Sequence, residues 1–388
     1  MTETSTMPAR AGTPSRFVRR FPVRGGLLLL DTSTNTLLAY NDVAREVWDM
    51  VEAGRSQANI VAAVAGSWGI AAALAQRDVQ AILDMWRSQG LLVGATEPVR
   101  VPSIAAVETA EPHAPPSEWV CTIRGVVIAF SITAELQGPA YALFRHLETP
   151  AATPQVRMEV RRASSLFAFR EDGRERLRSG DAAVVIGALH VAVLERVRPG
   201  IEWFALIHGA ALARGAHGIA LLGSSGSGKS TLAAALMRSG FGFLSDDIVP
   251  LAAPDTTIVP WPLPLSLKPG GVDALLARIP ELAAAPRYRT KGLEARTLAP
   301  PPQAWDAEPA KLRQLFFPCF REGAAPEARR LSPFEALERL LSDRVWLGDP
   351  ITEERVTSFL GWLDRTPAHA LTYGALDDAL ELVESVIP

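Results

Sequence analysis

Cysteine is nearly absent. The 388-residue chain carries two, Cys121 and Cys319, far apart and without C-x-x-C spacing. Neither a disulfide framework nor a thiolate metal site is expected from them. A surplus of basic charge is also missing: 39 Lys and Arg stand against 42 Asp and Glu, a net charge of −3. That balance leaves no broad footprint for nucleic acid. Long apolar runs are lacking too. The longest, Ala182 to Leu194, is interrupted by His190 and falls short of the roughly 20 residues that cross a bilayer. Met1 to Arg20 is polar, with arginines in its later part, unlike a signal peptide. A soluble, cytoplasmic protein with no membrane or nucleic-acid partner is the expectation, and a homo-oligomer remains open. What the chain does have is a hydrophobic content of 48%, ample for real cores, over a length that predicts two or three domains. No internal repeat stands out.

The most informative segment is Gly218-Ile-Ala-Leu-Leu-Gly-Ser-Ser-Gly-Ser-Gly-Lys-Ser-Thr231. Gly223 to Ser230 reads G-x-x-x-x-G-K-S, entered by a short apolar strand and left by a helix-forming run. Glycines at 223, 226 and 228 let the backbone curl so that its N–H groups converge on one concavity. The following helix aims its N-terminal dipole at the same point, where a polyphosphate can sit. Gly223, Ser224, Ser225, Gly226, Ser227, Gly228, Lys229, Ser230 and Thr231 are the candidate nucleotide-binding residues, with ATP the expected nucleotide. Lys229 reaches the β- and γ-phosphates, and the Ser230 hydroxyl suits Mg²⁺.

Phe243-Leu-Ser-Asp-Asp247 follows about fifteen residues later. Phe241 to Leu244 reads as the strand after the P-loop helix, with Gly240 as its C-cap. Two carboxylates at a strand end beside a phosphate loop suit two jobs, holding a metal and accepting a proton from an attacking hydroxyl. Adjacent strand residues point to opposite faces, so both can serve only if the chain turns there.

His208-Gly-Ala-Ala-Leu, the P-loop and Leu244-Ser-Asp-Asp-Ile together resemble the core of HPr kinase/phosphorylase. The likeness is closer to the HPr kinase-related proteins of peptide-modification gene clusters. It is specific from about 200 to 250 and looser to the C-terminus. The resemblance implies a serine kinase with a phosphoenolpyruvate carboxykinase-like α/β core, using ATP and Mg²⁺. Carried over, Lys229 and Ser230 hold phosphate and metal, Asp246 is the base, Asp247 a metal-shell residue, and His208 a phosphate-side or base-side neighbour. One signature departs. The glycine-rich Glu/Arg stretch that serves phosphorolysis in the family is missing, so phosphorylase activity and HPr as substrate are not expected. In its place Val259-Pro-Trp-Pro-Leu-Pro-Leu-Ser-Leu-Lys268 is proline-rich and extended. Its terminal Lys268 matches a similar Leu-Lys element that reaches the phosphates in related kinases. Arg287, Arg289 and Lys291 lie in a polar stretch beyond it, as further candidate cations or as a solvated loop.

Residues 1–16 read as disordered. Phe17 to Val23, Gly26 to Asp31 and Thr36 to Tyr40 are short strand candidates. Asn41 caps a helix with Val43, Val47, Met50 and Val51 at helical spacing. Ile60, Val61 and Val64 mark a second helix, and Val79, Ile82, Leu83 and Trp86 a third from about Arg77 to Ser88. Trp48, Trp68 and Trp86 are expected in the core. This winged-helix pattern over 17–93, with its Leu-Leu-Ala-Tyr-Asn-Asp-Val-Ala text, resembles the PqqD-like family. Its members recognise the leader of a ribosomally made precursor peptide, which adds as a strand. A DNA-binding winged helix is the alternative, but Arg77 and Arg87 against Asp78 and Asp84 are a poor recognition helix. Residues 94–118 are a proline-rich linker, and 119–388 form the P-loop kinase domain. Within the latter, Cys121 to Ile132 and Val156 to Phe169 suggest strands, Asp172-Gly173 a tight turn, and Asp181 onward a helix. Ser332-Pro-Phe-Glu335 opens another through a capping box, and further helices run over 353–363 and 376–386. The fold class expected is α/β (α+β).

Two functions of different class follow. One is a kinase acting on a serine or other hydroxyl of the precursor peptide. The other is a nucleotide-gated binding or regulatory protein without transfer. Within the enzyme class, nucleotidyl transfer to the same peptide remains open.

Overall fold

A computed structural model describes residues 10–93, 118–290 and 293–387. Most of the expected linker, Lys291 and residues 1–9 lie outside the described residues. The fold is mixed α/β, and the chain divides into two compact units.

The first unit begins with an antiparallel sheet of Val18–Val23, Gly26–Asp31 and Thr36–Asn41 in sequential order. Helices Asp42–Glu52, Gln57–Trp68 and Ala72–Ser88 follow. Asn41 caps the first, its side-chain oxygen accepting from the Ala44 amide at 3.1 Å. The third starts at Ala72, five residues before the expected Arg77, because its early turns are carried by alanine and leucine rather than by an apolar stripe. Trp48 and Trp86 meet edge to face at 5.0 Å in the core. Trp68 corrects the expectation of a third core tryptophan. It is 47% exposed, and its indole N–H donates to Glu46 at 2.8 Å. Part of the segment expected to be disordered is paired: Thr13–Pro14 forms a two-residue antiparallel ladder with Leu92–Val93.

The same unit also takes in Leu331–Thr366, which the sequence placed with the C-terminal domain. The Ser332–Glu335 capping box opens the helix Pro333–Leu341 as expected. This helix packs on the strand Thr36–Asn41, and the helix Glu353–Arg365 on Val18–Val23. Arg19 and Glu353 pair at 2.8 Å, and the Asn35 side chain accepts from the Ile351 amide at 2.6 Å. The strand Gly26–Asp31 is consequently buried on both faces. Leu27 and Leu29 enter the core with the first three helices, while Leu28 and Leu30, fully buried as well, lie on the opposite face.

The second unit holds a five-stranded sheet in the order Arg174–Ser179, Leu166–Glu171, Val156–Ala163, Val126–Ile132, Glu118–Ile123. One pair is parallel, Val126–Ile132 with Val156–Ala163, and the helix Ala134–Phe144 lies between them in the chain. The hairpin at Asp172-Gly173 has φ of 46° and 79°, the paired left-handed residues of a two-residue turn. A larger sheet is organised by the long strand Trp203–Arg214. It pairs antiparallel with His217–Leu222, Gly242–Ser245 and Ile248–Ala252. His217–Leu222 runs parallel to Ala310–Phe320, which runs parallel to Ala368–Tyr373. Leu265–Leu267, Leu293–Leu298 and Arg287–Thr290 form a small separate sheet. The helix Ala182–Val197, capped by Asp181, carries His190 into the interior.

Candidate active site

The strand His217–Leu222 delivers the chain into the P-loop, and the helix Lys229–Arg238 receives it. Gly223, Gly226 and Gly228 have φ of 120°, 94° and 101°, a region only glycine enters freely. Gly228 is constrained twice, since a Cβ there would sit 2.7 Å from the Tyr373 hydroxyl. It is also the helix N-cap and offers no side chain, so the first-turn amides keep their donors for a ligand. The helix closes in a Schellman pattern: Gly240 N–H donates to Met237 C=O at 3.3 Å and Phe241 N–H to Leu236 C=O at 3.1 Å.

The loop fits a polyphosphate. The Ser227 hydroxyl is buried there without a hydrogen-bond partner. Lys229 bends its ammonium onto the loop itself, donating to the carbonyls of Gly223 and, at 3.1 Å, Ser224. Lys268, from the proline-rich segment, donates to the Ser225 hydroxyl at 3.0 Å. Two cations from separate elements thus converge on the loop. Thr231 faces Gly271, where a Cβ would lie 2.5 Å from its hydroxyl. Arg287 pairs with Glu294 at 3.2 Å, and Arg289 is exposed.

The two aspartates separate at the turn the sequence required, Asp247 adopting φ 69°. Asp246 is buried. Its carboxylate accepts from the Ser230 hydroxyl at 3.0 and 3.2 Å and from the Ser266 amide at 3.3 Å. Asp247 is more open and lies between two imidazoles, His190 Nδ1 at 3.2 Å and His208 Nε2 at 3.4 Å. Sequence reasoning placed His208 here and missed His190, whose only signal was a lone polar residue in an apolar run. It also missed Ser266 and Tyr288, whose hydroxyls meet at 2.5 Å. Among the described residues no three His, Cys, Asp or Glu side chains form a metal-ligand group. Ser230 and one carboxylate instead make the sparse oxygen set that suits Mg²⁺, which keeps water and substrate oxygens in its shell.

The neighbours pull the two carboxyls apart. Burial foremost, then the charge of Asp247, pushes Asp246 up to about 6 against the hydrogen bonds of Ser230 and the backbone. Burial alone would raise Asp247 as well, but the hydrogen bonds of His190 and His208 outweigh it and hold that carboxyl well below its usual range. For Asp246 the folded chain binds its proton more tightly than the unfolded one. The stability it contributes is therefore full below the ordinary value of 3.8 and lost as pH rises through about 6. Asp246→Asn, which carries no charge to bury, is expected to raise thermal stability near pH 7 by on the order of 1–3 kcal/mol. The gain should vanish near pH 4 in paired melting curves. An equal gain at both pH values would place its origin elsewhere.

Residues 26–92 match the family model described as Coenzyme PQQ synthesis protein D (PqqD). No curated protein matches the chain. Among solved structures, one titled "TbiB1 in Complex with the TbiA(beta) Leader Peptide" is similar at 22% identity, covering 22% of this chain and 99% of that one with a TM-score of 0.21. Among the described residues no single helix is long and apolar enough to cross a membrane. The family match takes in the strands Gly26–Asp31 and Thr36–Asn41 and the helices Asp42–Glu52, Gln57–Trp68 and Ala72–Ser88: the N-terminal module of this chain is a PqqD-like domain.

Proposed function

We propose that the chain is an ATP-dependent kinase that phosphorylates a hydroxyl, serine foremost, of a ribosomally made precursor peptide held through its leader by the PqqD-like module. One observation carries the catalytic half. Beside a fitted phosphate loop, one aspartate is bonded to the P-loop serine and its neighbour is kept ionised between two histidines. A nucleotide switch has use for the first carboxylate and none for the second.

The neighbours exchange the roles the resemblance implied. Asp246, on Ser230, is the metal-side carboxylate, and Asp247 is the base. Ser230 and Asp246 would hold Mg²⁺, which would neutralise phosphate charge there. The P-loop amides, Lys229 and Lys268 bind the β- and γ-phosphates and stabilise the charge of the moving phosphoryl group. Asp247 orients the acceptor hydroxyl and takes its proton as the oxygen bonds to the γ-phosphorus. The bond from that phosphorus to the β,γ-bridging oxygen breaks, and ADP leaves. A carboxyl of low pKa suffices because phosphoryl transfer is loose and asks for proton acceptance late.

The test is intact-mass measurement of a candidate precursor peptide after incubation with enzyme, ATP and Mg²⁺. A gain of one phosphate is expected. A nucleotide adduct would make the enzyme a nucleotidyltransferase, and an unchanged peptide with ATP bound would leave the regulatory reading. Removing the leader should slow phosphorylation at low peptide concentration and matter less as peptide is raised, because tethering supplies an effective concentration of about millimolar. Identical concentration dependence with and without the leader would detach the module from substrate recognition.

A further inference from the structure

The helix Ala182–Val197 contributes His190 and the proline-rich segment Trp261, and the kinase reading makes no use of the bond between them. Both are fully buried. The Trp261 indole N–H meets His190 Nε2 at 2.5 Å, and His190 Nδ1 meets Asp247 Oδ2 at 3.2 Å. An indole nitrogen only donates. Nε2 of His190 is therefore the acceptor, and the ring proton sits on Nδ1, facing the carboxylate. Phe144 stands edge-on to the imidazole at 6.3 Å and Trp305 edge-on to the indole at 5.7 Å, so each ring is packed by an aromatic neighbour.

We propose that Trp261 and His190 are a positioning pair for Asp247: the indole fixes the histidine tautomer, and the histidine fixes the carboxylate. The inference rests on the kinase reading of the same site. Asp247 needs such an anchor because its backbone is in the left-handed region, a conformation that persists only where the surroundings hold it. With Oδ2 tied to His190, Oδ1 faces His208. The carboxylate then meets an acceptor hydroxyl in one orientation instead of several, which is the geometric part of base catalysis. The chain of three resembles in logic any base oriented by a third group, with the order reversed: here the carboxylate acts, and the imidazole orients it.

Two readouts test the pair in the full-length protein. Histidine-selective ¹⁵N NMR should show His190 as the Nδ1–H tautomer, and Trp261→Phe should admit the Nε2–H form. In kinetics, His190→Asn retains a side-chain N–H near the Nδ1 position, whereas His190→Leu fills space without it. His190→Leu is expected to lower kcat by about 10²-fold with the KM for ATP unchanged, and His190→Asn to recover most of that loss. Trp261→Phe should fall between them, about tenfold down, and serves if the leucine variant fails to fold. An Nε2–H tautomer in the wild-type protein, or an asparagine variant as slow as the leucine one, overturns the proposal. A wild-type enzyme that binds ATP but transfers no phosphate removes the kinase reading and this role with it, and the tautomer measurement tells the two failures apart.

Discussion

Asp247→Asn should lower phosphotransfer by about 10²–10⁴-fold while nucleotide affinity stays within about twofold. The amide is nearly the same shape, so the left-handed turn, the burial of Asp246 and the P-loop are left in place. What disappears is the capacity to accept the hydroxyl proton, together with the charge that His190 and His208 stabilise. Asp246→Asn should behave differently. Its carboxylate touches Ser230 and the Ser266 amide rather than open space, so the defect should be a raised Mg²⁺ requirement that excess metal partly overcomes. Titrating Mg²⁺ against rate for both variants separates them. If Asp247→Asn were rescued by metal and Asp246→Asn were not, the roles would revert to those the family resemblance implied.

The assignment of these two residues shows where sequence reasoning ran out. The glycine turn at 223–230 was legible because its signals are local: three glycines, a lysine and a serine at fixed spacing specify the turn, the strand before and the helix after. Lys268 was singled out through the family resemblance, and the structure sets it on Ser225. The division of labour between Asp246 and Asp247 is not local. It depends on which residues approach from helix Ala182–Val197, strand Trp203–Arg214 and strand Leu265–Leu267, all remote in sequence. His190 could have been singled out as the one polar residue of its apolar run, a position that costs free energy unless the imidazole is bonded. The PqqD-like strands and helices were legible for the same local reasons as the P-loop. Trp68 misled because its spacing fits a helix face, and nothing in the spacing says where that face ends.

A chain of residues 10–93 alone is expected to unfold or self-associate, although it contains the whole of the family match. Leu27 to Leu30 gave the warning in sequence: four consecutive leucines cannot alternate between core and water, so a strand carrying them must be covered on both faces. Leu28 and Leu30 are fully buried, on the face away from the first three helices. Phe334 lies so close to Gly26 that a Cβ there would collide with its ring and with the Tyr40 carbonyl. Baring two leucines and losing the Phe334 contact forfeits about 1.5–3 kcal/mol for each side chain, against a total stability of roughly 5–15 kcal/mol for a domain. Joining residues 331–366 to the excised module through a flexible linker should restore a cooperative thermal transition. Within the intact protein, Gly26→Ala should reproduce the weakening, because the methyl group must displace either the ring or the neighbouring strand. A module of residues 10–93 that melts cooperatively at the same temperature with or without 331–366 would mean that the second face contributes nothing. In that case the PqqD-like module could be detached at the linker expected over 94–118. If the prediction holds, no truncation at the apparent linker can leave the PqqD-like module whole, since that module is completed by residues that follow the P-loop by a hundred positions.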